Sequence, residues 1–298
     1  MRVTAVIVHW QDADDTRGCV ESVAAEPGVD VLVVDNGSRE PLGDPLAGRA
    51  TVVRSGENLG YAGGSNLGIR RALEAGADVV LLLNNDVRLR RGAIAIALAA
   101  LAADPRIAVV GPKVLAREDA SRLWLAWGDV TYGPSLVALR GAGAPDGPAW
   151  NEARDVDWIA GCTMWIRREA VAAIGLLDET FFAYHEEVDW CARARAAGWR
   201  VVYRPDAVVT HTGRGAAGGR ASIRIRKYFA ARNSILFARK HGTAAQRAKL
   251  GATLAVSLPL QLLWHWPRGT TSDVRLKIRG VRDALAGRRP PFEMLGLK

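Results

Sequence analysis

VVLLLNND, residues 79–86, runs five aliphatic side chains without alternation into two asparagines and an aspartate. A strand apolar on both faces is a strand covered on both faces, and such strands belong to parallel sheets flanked by helices. The same grammar recurs on either side. VTAVIVHW (3–10) and VDVLVVD (29–35) read as buried strands, TVVRS (51–55) as a short one and CTMWIRR (162–168) and WRVVYRP (199–205) as later ones. DDTRGCVESVAAE (14–26), NLGIRRALEAG (66–76), GAIAIALAALAAD (92–104), REAVAAIG (168–175) and VDWCARARAAG (188–198) carry helical periodicity. Alternating strands and helices predict an α/β fold with a mostly parallel sheet, whose ligands sit at the carboxyl ends of the strands.

The chain has 298 residues, 49% of them hydrophobic, enough for a substantial core. Cys19, Cys162 and Cys191 are odd in number and widely spaced, which argues against a disulfide framework or a zinc cluster and fits a cytoplasmic protein. No secretory leader is read in MRVTAVIVHWQDADD. Charge is uneven. Residues 1–213 hold 22 Lys and Arg against 28 Asp and Glu, whereas 214–298 hold 18 against 3, a net +15 that suits phosphates of lipid or nucleic acid. No nucleic-acid-binding signature accompanies it, and the basic residues alternate with a long apolar stretch, so nucleic acid is not expected as a partner.

That stretch, LGATLAVSLPLQLLWHW (250–266), is interrupted by Pro259, Gln261 and His265 and is short for a bilayer span of roughly 20 residues. Its flanking basic residues and Trp264 and Trp266 predict attachment to an anionic membrane surface instead. Upstream, RIRKYFAARNSILFARKHG (224–242) reads as a packing helix with Tyr228, Phe229, Ile235, Leu236 and Phe237 on its apolar face.

The polar residues that end the strands are the candidate site. Asp35 closes VVD, where an acid binds a ribose hydroxyl in dinucleotide folds, but the turn HWQDADD after the first strand lacks the glycines of that fingerprint. ENLGYAGGSNLG (57–68) lacks the GK[ST] of a phosphate loop, so NAD enzymes and P-loop ATPases are disfavoured. An Asx turn before Gly37 explains Asp35 equally well. Asp86 can hold a divalent cation whose shell is completed by diphosphate oxygens. His211, in VVTHTGR, is either a metal ligand or a satisfied core histidine. In FFAYHEEVDW (181–190), Glu186, Glu187 and Asp189 stand among four aromatic residues, where carboxylates are costly to desolvate. They form either a site or an acidic first turn favoured by the helix dipole.

In one consistent order, VIVHW, VVDNGS, ENLGYAGGSNLGIR, LLLNNDV, GCTMWIRREAVAAIGLLDETFFAYHEEVDWCARARAAGW, VVTHTGR and YFAARNSILFARKH resemble the family 2 glycosyltransferases of GT-A fold. Within that family the resemblance is to the bacterial rhamnosyltransferase-like group. It implies a GT-A domain over 1–213, with a donor half to about 115 and an acceptor half from about 116, followed by a basic helical extension over 214–298. It implies an inverting sugar transfer from a nucleotide diphosphate donor, dTDP-rhamnose first and UDP-sugars second, to a glycan or polyprenyl-linked acceptor in cell-surface polysaccharide synthesis. By the same resemblance His9, Asp35, Asn58, Gly60, Asn66 and Asn85 line the donor nucleotide, and Asp86 with His211 binds Mg²⁺ or Mn²⁺. Glu187 is the expected base with Glu186 as the alternative, and Trp158, Asp189 and Trp190 fall on the acceptor side. The same fold without turnover, binding nucleotide sugars or polysaccharide, is the competing expectation; the expected location is cytoplasmic and peripheral at the inner face of the plasma membrane.

Overall fold

Leu81, Leu82 and Leu83 are all fully buried, so the aliphatic run that opened the reading is covered on both faces. At about 1.5–3 kcal/mol for each buried leucine, that strand alone is a strong determinant of the core. The computed structural model describes residues 1–42, 48–133, 135–213 and 219–297. The chain begins β1 (Val3–His9), α1 (Ala13–Ala24), β2 (Val29–Asp35), β3 (Thr51–Arg54), α2 (Gly60–Glu74), β4 (Val79–Asn84), β5 (Val87–Leu89) and α3 (Ala93–Ala103). It continues through β6 (Ile107–Ala116), β7 (Leu123–Leu125), β8 (Trp127–Val130), β9 (Val137–Arg140), β10 (Arg154–Asp155), β11 (Thr163–Arg167), α4 (Arg168–Ile174), α5 (Glu186–Ala196) and β12 (Arg200–His211). Four helices end it: α6 (Gly219–His241), α7 (Ala244–His265), α8 (Thr271–Leu285) and α9 (Phe292–Leu295).

The main sheet has the order β10-β12-β6-β11-β4-β1-β2-β3, with β5 on β12 and β7 on β6. Strands β3, β2, β1 and β4 are mutually parallel. β11 then enters antiparallel between β4 and β6, and β12 is again parallel to β6. The expected parallel sheet therefore holds for the donor half and becomes mixed beyond β4.

Two strands were hidden in the sequence by proline. In β6, Pro112 and Lys113 break an apolar run, yet the strand continues because the buried Lys113 ammonium is held by Asp146 Oδ1 at 2.8 Å and by Asn151 Oδ1. WRVVYRP extends past Pro205 to His211 through a register shift between Arg204 and Val208, the kind of irregularity where a strand tolerates proline. In α2, the glycine-rich Gly60 to Gly64 is the first turn of the helix and not a loop before it.

The chain divides into two compact units: 1–129 with 139–182 and 186–216, and 130–138 with 183–185 and 217–298. The expected boundary at 213/214 adjoins residues 214–218, which lie outside the described residues. Within the second unit, α6 buries Tyr228, Phe229 and Phe237, while Leu236 is only half-buried. The Tyr228 hydroxyl donates to Asp283 Oδ2 on α8 at 2.8 Å. α7 opens with a Thr243–Gln246 capping box and runs through Pro259 without ending there. Among the described residues no helix is long and apolar enough to cross a membrane.

Candidate active site

Parallel pairing brings the strand ends to one edge. His9 is registered against Asp35, and Val8 against Asn84, so the polar residues that terminate β1, β2 and β4 lie side by side. The buried Asp35 accepts from Ser38 N at 3.0 Å and Leu42 N at 3.3 Å, with Arg54 Nε 3.7 Å away. The Asx-turn reading of Asp35 is thus realised: its carboxylate organises the loop after β2. His9 Nδ1 lies 2.6 Å from Thr16 Oγ1, and burial lowers the imidazole pKa against the opposing charges of Asp35 and Asp12.

Asn85 Nδ2 donates to Asp12 O and Thr16 Oγ1, pinning the start of α1 to the loop after β4. Asn58 Oδ1 accepts from Gly60 N at 2.9 Å and so shapes the entry to α2. The Asn66 amide donates to Leu177 O and Glu179 Oε1 and accepts from Leu177 N. Gly60 needs its lack of a side chain, because at φ +73° a Cβ would lie 2.5 Å from the Phe182 ring and carbonyl oxygen.

Asp86 and His211 meet. His211 Nε2 is 2.9 Å from Asp86 Oδ1, and the Thr212 hydroxyl donates to Asp86 Oδ2 at 2.5 Å. Burial pushes the Asp86 carboxyl up, but the bonds to His211 and Thr212 outweigh it and hold the group below its ordinary value. Trp124 meets the imidazole edge-to-face at 4.4 Å between centroids, fixing the ring. His211 Nδ1 is buried with no hydrogen-bond partner among the described residues. An oxygen and a nitrogen 2.9 Å apart fit adjacent positions on one octahedral ion, whose ligands at about 2.1 Å stand roughly 3 Å from one another. No cluster of three or more His, Cys, Asp or Glu is found among the described residues, so this pair fits an ion completed by diphosphate oxygens.

The acid pair reaches the same edge through β11. Cys162 O accepts from Asn84 N at 3.0 Å, tying the start of β11 to the end of β4. A Cβ on the neighbouring Gly161 would be 3.3 Å from Glu187 Cβ and Cγ, so the glycine admits this side chain. The Cys162 thiol is raised by burial and by the charges of both Asp86 and Glu187, which flank it. All three cysteines are free and buried.

Glu186 is buried, and its Oε2 has no hydrogen-bond partner among the described residues. Burial, and then the charge of Glu187, push its carboxyl well above the ordinary value. Tyr61 stands beside the pair, its hydroxyl donating to Gly161 O at 2.6 Å and its pKa raised by burial and by Glu186.

The expectation for Asp189 and Trp190 is acceptor binding or positioning of the base. Asp189 is fully buried and paired with Arg193 at 2.8 Å, and Arg193 in turn donates to Ile174 O and Leu176 O, so Asp189 braces α5. The buried Trp190 donates its Nε1 to Gly175 O. Trp158 is buried against Gly128 with its Nε1 unpartnered among the described residues.

The turn before Glu186 is strained. Phe182, Tyr184 and His185 have φ of 63°, 67° and 70°, a left-handed region that costs a non-glycine residue roughly 1–3 kcal/mol. Tyr61 and Thr212 were not singled out from sequence, although Tyr61 lies inside the glycine-rich run and Thr212 is next to His211.

The site thus consists of polar strand ends, the Asp86–His211 pair and two adjacent glutamates, of which Glu186 is buried. Residues 1–230 match the family described as Glycosyltransferase like family 2, and the chain belongs to it. It is 32% identical over 271 residues, 80% of this chain and 84% of the relative, to an N-acetylglucosaminyl-diphospho-decaprenol L-rhamnosyltransferase of Mycobacterium tuberculosis. It is 25% identical over 266 residues, 80% of each chain, to the dTDP-rhamnosyl transferase RfbF of Shigella flexneri. Among solved structures, the mannosyltransferase PcManGT of Pyrobaculum calidifontis, in complex with GDP-Man and Mn²⁺, superposes with a TM-score of 0.56 at 16% identity, covering 97% of this chain and 88% of that one. GalNAc-T7 with UDP, GalNAc and Mn²⁺ gives a TM-score of 0.58 at 16% identity, over 80% of this chain and 54% of that one. The fold is GT-A and the protein is a glycosyltransferase with rhamnosyltransferase homologues.

Proposed function

We propose that the protein is an inverting transferase that moves a sugar, rhamnose before others, from a deoxythymidine diphosphate donor to a hydroxyl of a glycan or polyprenyl-linked acceptor in cell-surface polysaccharide synthesis. The observation that carries this reading is the buried Glu186 next to Glu187, with the Asp86–His211 pair at the strand ends of the same domain. The similarity to two rhamnosyltransferases favours the donor, with UDP-sugars next. In the proposed reaction Glu187 takes the proton of the acceptor hydroxyl as its oxygen attacks the anomeric carbon. The carbon–oxygen bond to the nucleoside diphosphate breaks, and the configuration at that carbon inverts. Glu186, whose carboxyl is pushed well above its ordinary value by burial and by the Glu187 charge, stands next to that base. Asp86 and His211 would hold Mg²⁺ or Mn²⁺, which when bound supplies neutralisation of the leaving diphosphate.

The donor is tested by thermal stability with dTDP-rhamnose, UDP-glucose and GDP-mannose, each with and without Mn²⁺, since a ligand that binds only the folded state raises its melting temperature. A metal-dependent rise with dTDP-rhamnose alone supports the reading. A rise with polysaccharide and none with any nucleotide overturns it in favour of a binding protein.

Contact with the inner membrane face is the second part of the proposal. Val256, Leu260, Leu263, Trp264 and Trp266 are exposed along and beyond α7, with the Arg268 guanidinium 4.1 Å over the Trp264 ring. Apolar anchors beside cations match an anionic bilayer surface. Sedimentation with phosphatidylglycerol vesicles, lost when Leu260, Leu263, Trp264 and Trp266 are all changed to Ser, is the expected result. Equal sedimentation of the two proteins would exclude this helix as the contact.

A further inference from the structure

The strained turn that delivers the acid pair is held by a residue of the C-terminal helices. Asn233, in the middle of α6, is fully buried, and its Nδ2 donates to the carbonyls of Ala183 at 2.9 Å and Tyr184 at 2.6 Å. Its Oδ1 accepts from Arg232 Nη1 at 2.9 Å. That neighbour fixes the amide's orientation, because a guanidinium only donates and a carbonyl only accepts. The NH₂ edge must therefore face the turn. One residue earlier, the Phe182 carbonyl accepts from Ala62 N at 3.0 Å in the first turn of α2. Three successive carbonyls, of residues 182, 183 and 184, are thus each held by a donor.

Ala183–His185 cluster with the second unit, whereas Glu186 belongs to the first. The carbonyls of Ala183 and Tyr184 are therefore fastened to α6, and that of Phe182 to α2. Left-handed φ at Tyr184 and His185 persists only where surrounding bonds over-determine it. Relaxation of either residue to negative φ would rotate the chain immediately before α5 and carry Glu186 and Glu187 with it.

We infer that Asn233 is a positioning residue of the transfer reaction: by clamping the carbonyls of Ala183 and Tyr184 it locks the left-handed turn that sets Glu186 and Glu187 in place. The inference rests on Glu187 as base. It gives the C-terminal extension a part in catalysis that is separate from any surface it offers to a membrane.

The test compares the wild-type protein with Asn233→Ala, Asn233→Asp and Glu187→Gln, measuring donor hydrolysis, in which water takes the rhamnosyl group and dTDP is released from dTDP-rhamnose with Mg²⁺, and hydrogen exchange of the full chain. Asn233→Asp keeps the shape and removes the donor. For both Asn233 variants, kcat should fall by about 10²-fold with the donor KM within about threefold of wild type, because misplacement by about 1 Å has that effect. Amides of 183–190 should exchange faster while those of β1 and β4 do not change. A kcat equal to wild type, a loss carried by KM, or unchanged exchange at 183–190 would overturn the inference. If wild type and Glu187→Gln release dTDP equally slowly, the base assignment itself fails and the catalytic role of Asn233 falls with it, whatever the exchange shows.

Discussion

The donor edge and the acid turn are built on opposite principles. At the ends of β1, β2 and β4, nearly every polar group has a partner: Asp35 holds its own loop, Asn85 holds α1, and Asp86 is bonded to His211 and Thr212. At 182–187 the backbone is left-handed at three residues and Glu186 is buried with one oxygen unbonded. Saturated hydrogen bonds make a rigid edge suited to binding. A buried, unsaturated acid on a strained turn stores free energy that chemistry can use. The difference teaches which substitutions should abolish turnover and which should abolish binding.

The sharpest test of that division is Glu187→Gln. It should lower kcat by about 10²–10⁴-fold, the usual contribution of a general base, and leave the donor-induced thermal shift intact. Parallel loss of the shift would erase the distinction between the two regions. Asp86→Asn is the counterpart at the bonded edge, expected to remove the metal-dependent part of the shift and to lower kcat/KM by about 10²-fold. Isothermal titration of Mn²⁺ with dTDP present checks it, and unchanged titration would remove Asp86 from the ion site.

Gly60→Ala probes where the two regions touch, because the new Cβ would meet Phe182 at 2.5 Å in a backbone conformation with φ of +73°. A destabilisation of about 1–3 kcal/mol is expected in urea denaturation. Stability equal to wild type would mean that the turn yields to pressure and is not rigid.

The smallest effect concerns Glu186 and pH. Its folded pKa is raised above the ordinary 4.5, so the folded state binds the proton more tightly than the unfolded chain does. The stability this provides is complete below that ordinary value and is lost as pH rises through the folded value, with a slope of at most about 1.4 kcal/mol per pH unit. Glu186→Gln, neutral at every pH, should flatten that decline and be more stable than wild type at pH 8. Equal pH slopes for the two proteins would show that Glu186 is ionised in the fold.

Much of this protein was written in short windows of sequence. The aliphatic run before Asn84, the helix-strand alternation, the acids at strand ends and the basic C-terminal third are local properties of five to fifteen residues, and hydrophobic burial enforces them wherever they occur. β6 and the end of β12 escaped because Pro112 and Pro205 are local signals against a strand that long-range pairing overrides. Tertiary structure alone decided which polar residues remain available. Asn66 and Glu179, 113 residues apart, bond to one another, and Tyr61 reaches Gly161 across 100. Asp189 and Glu186 stand three residues apart in one acidic run, yet Asp189 is paired with Arg193 while burial pushes the Glu186 carboxyl well above its ordinary value. A carboxyl's role depends on the charges and donors that folding brings to it, and those come from parts of the chain that no local pattern connects.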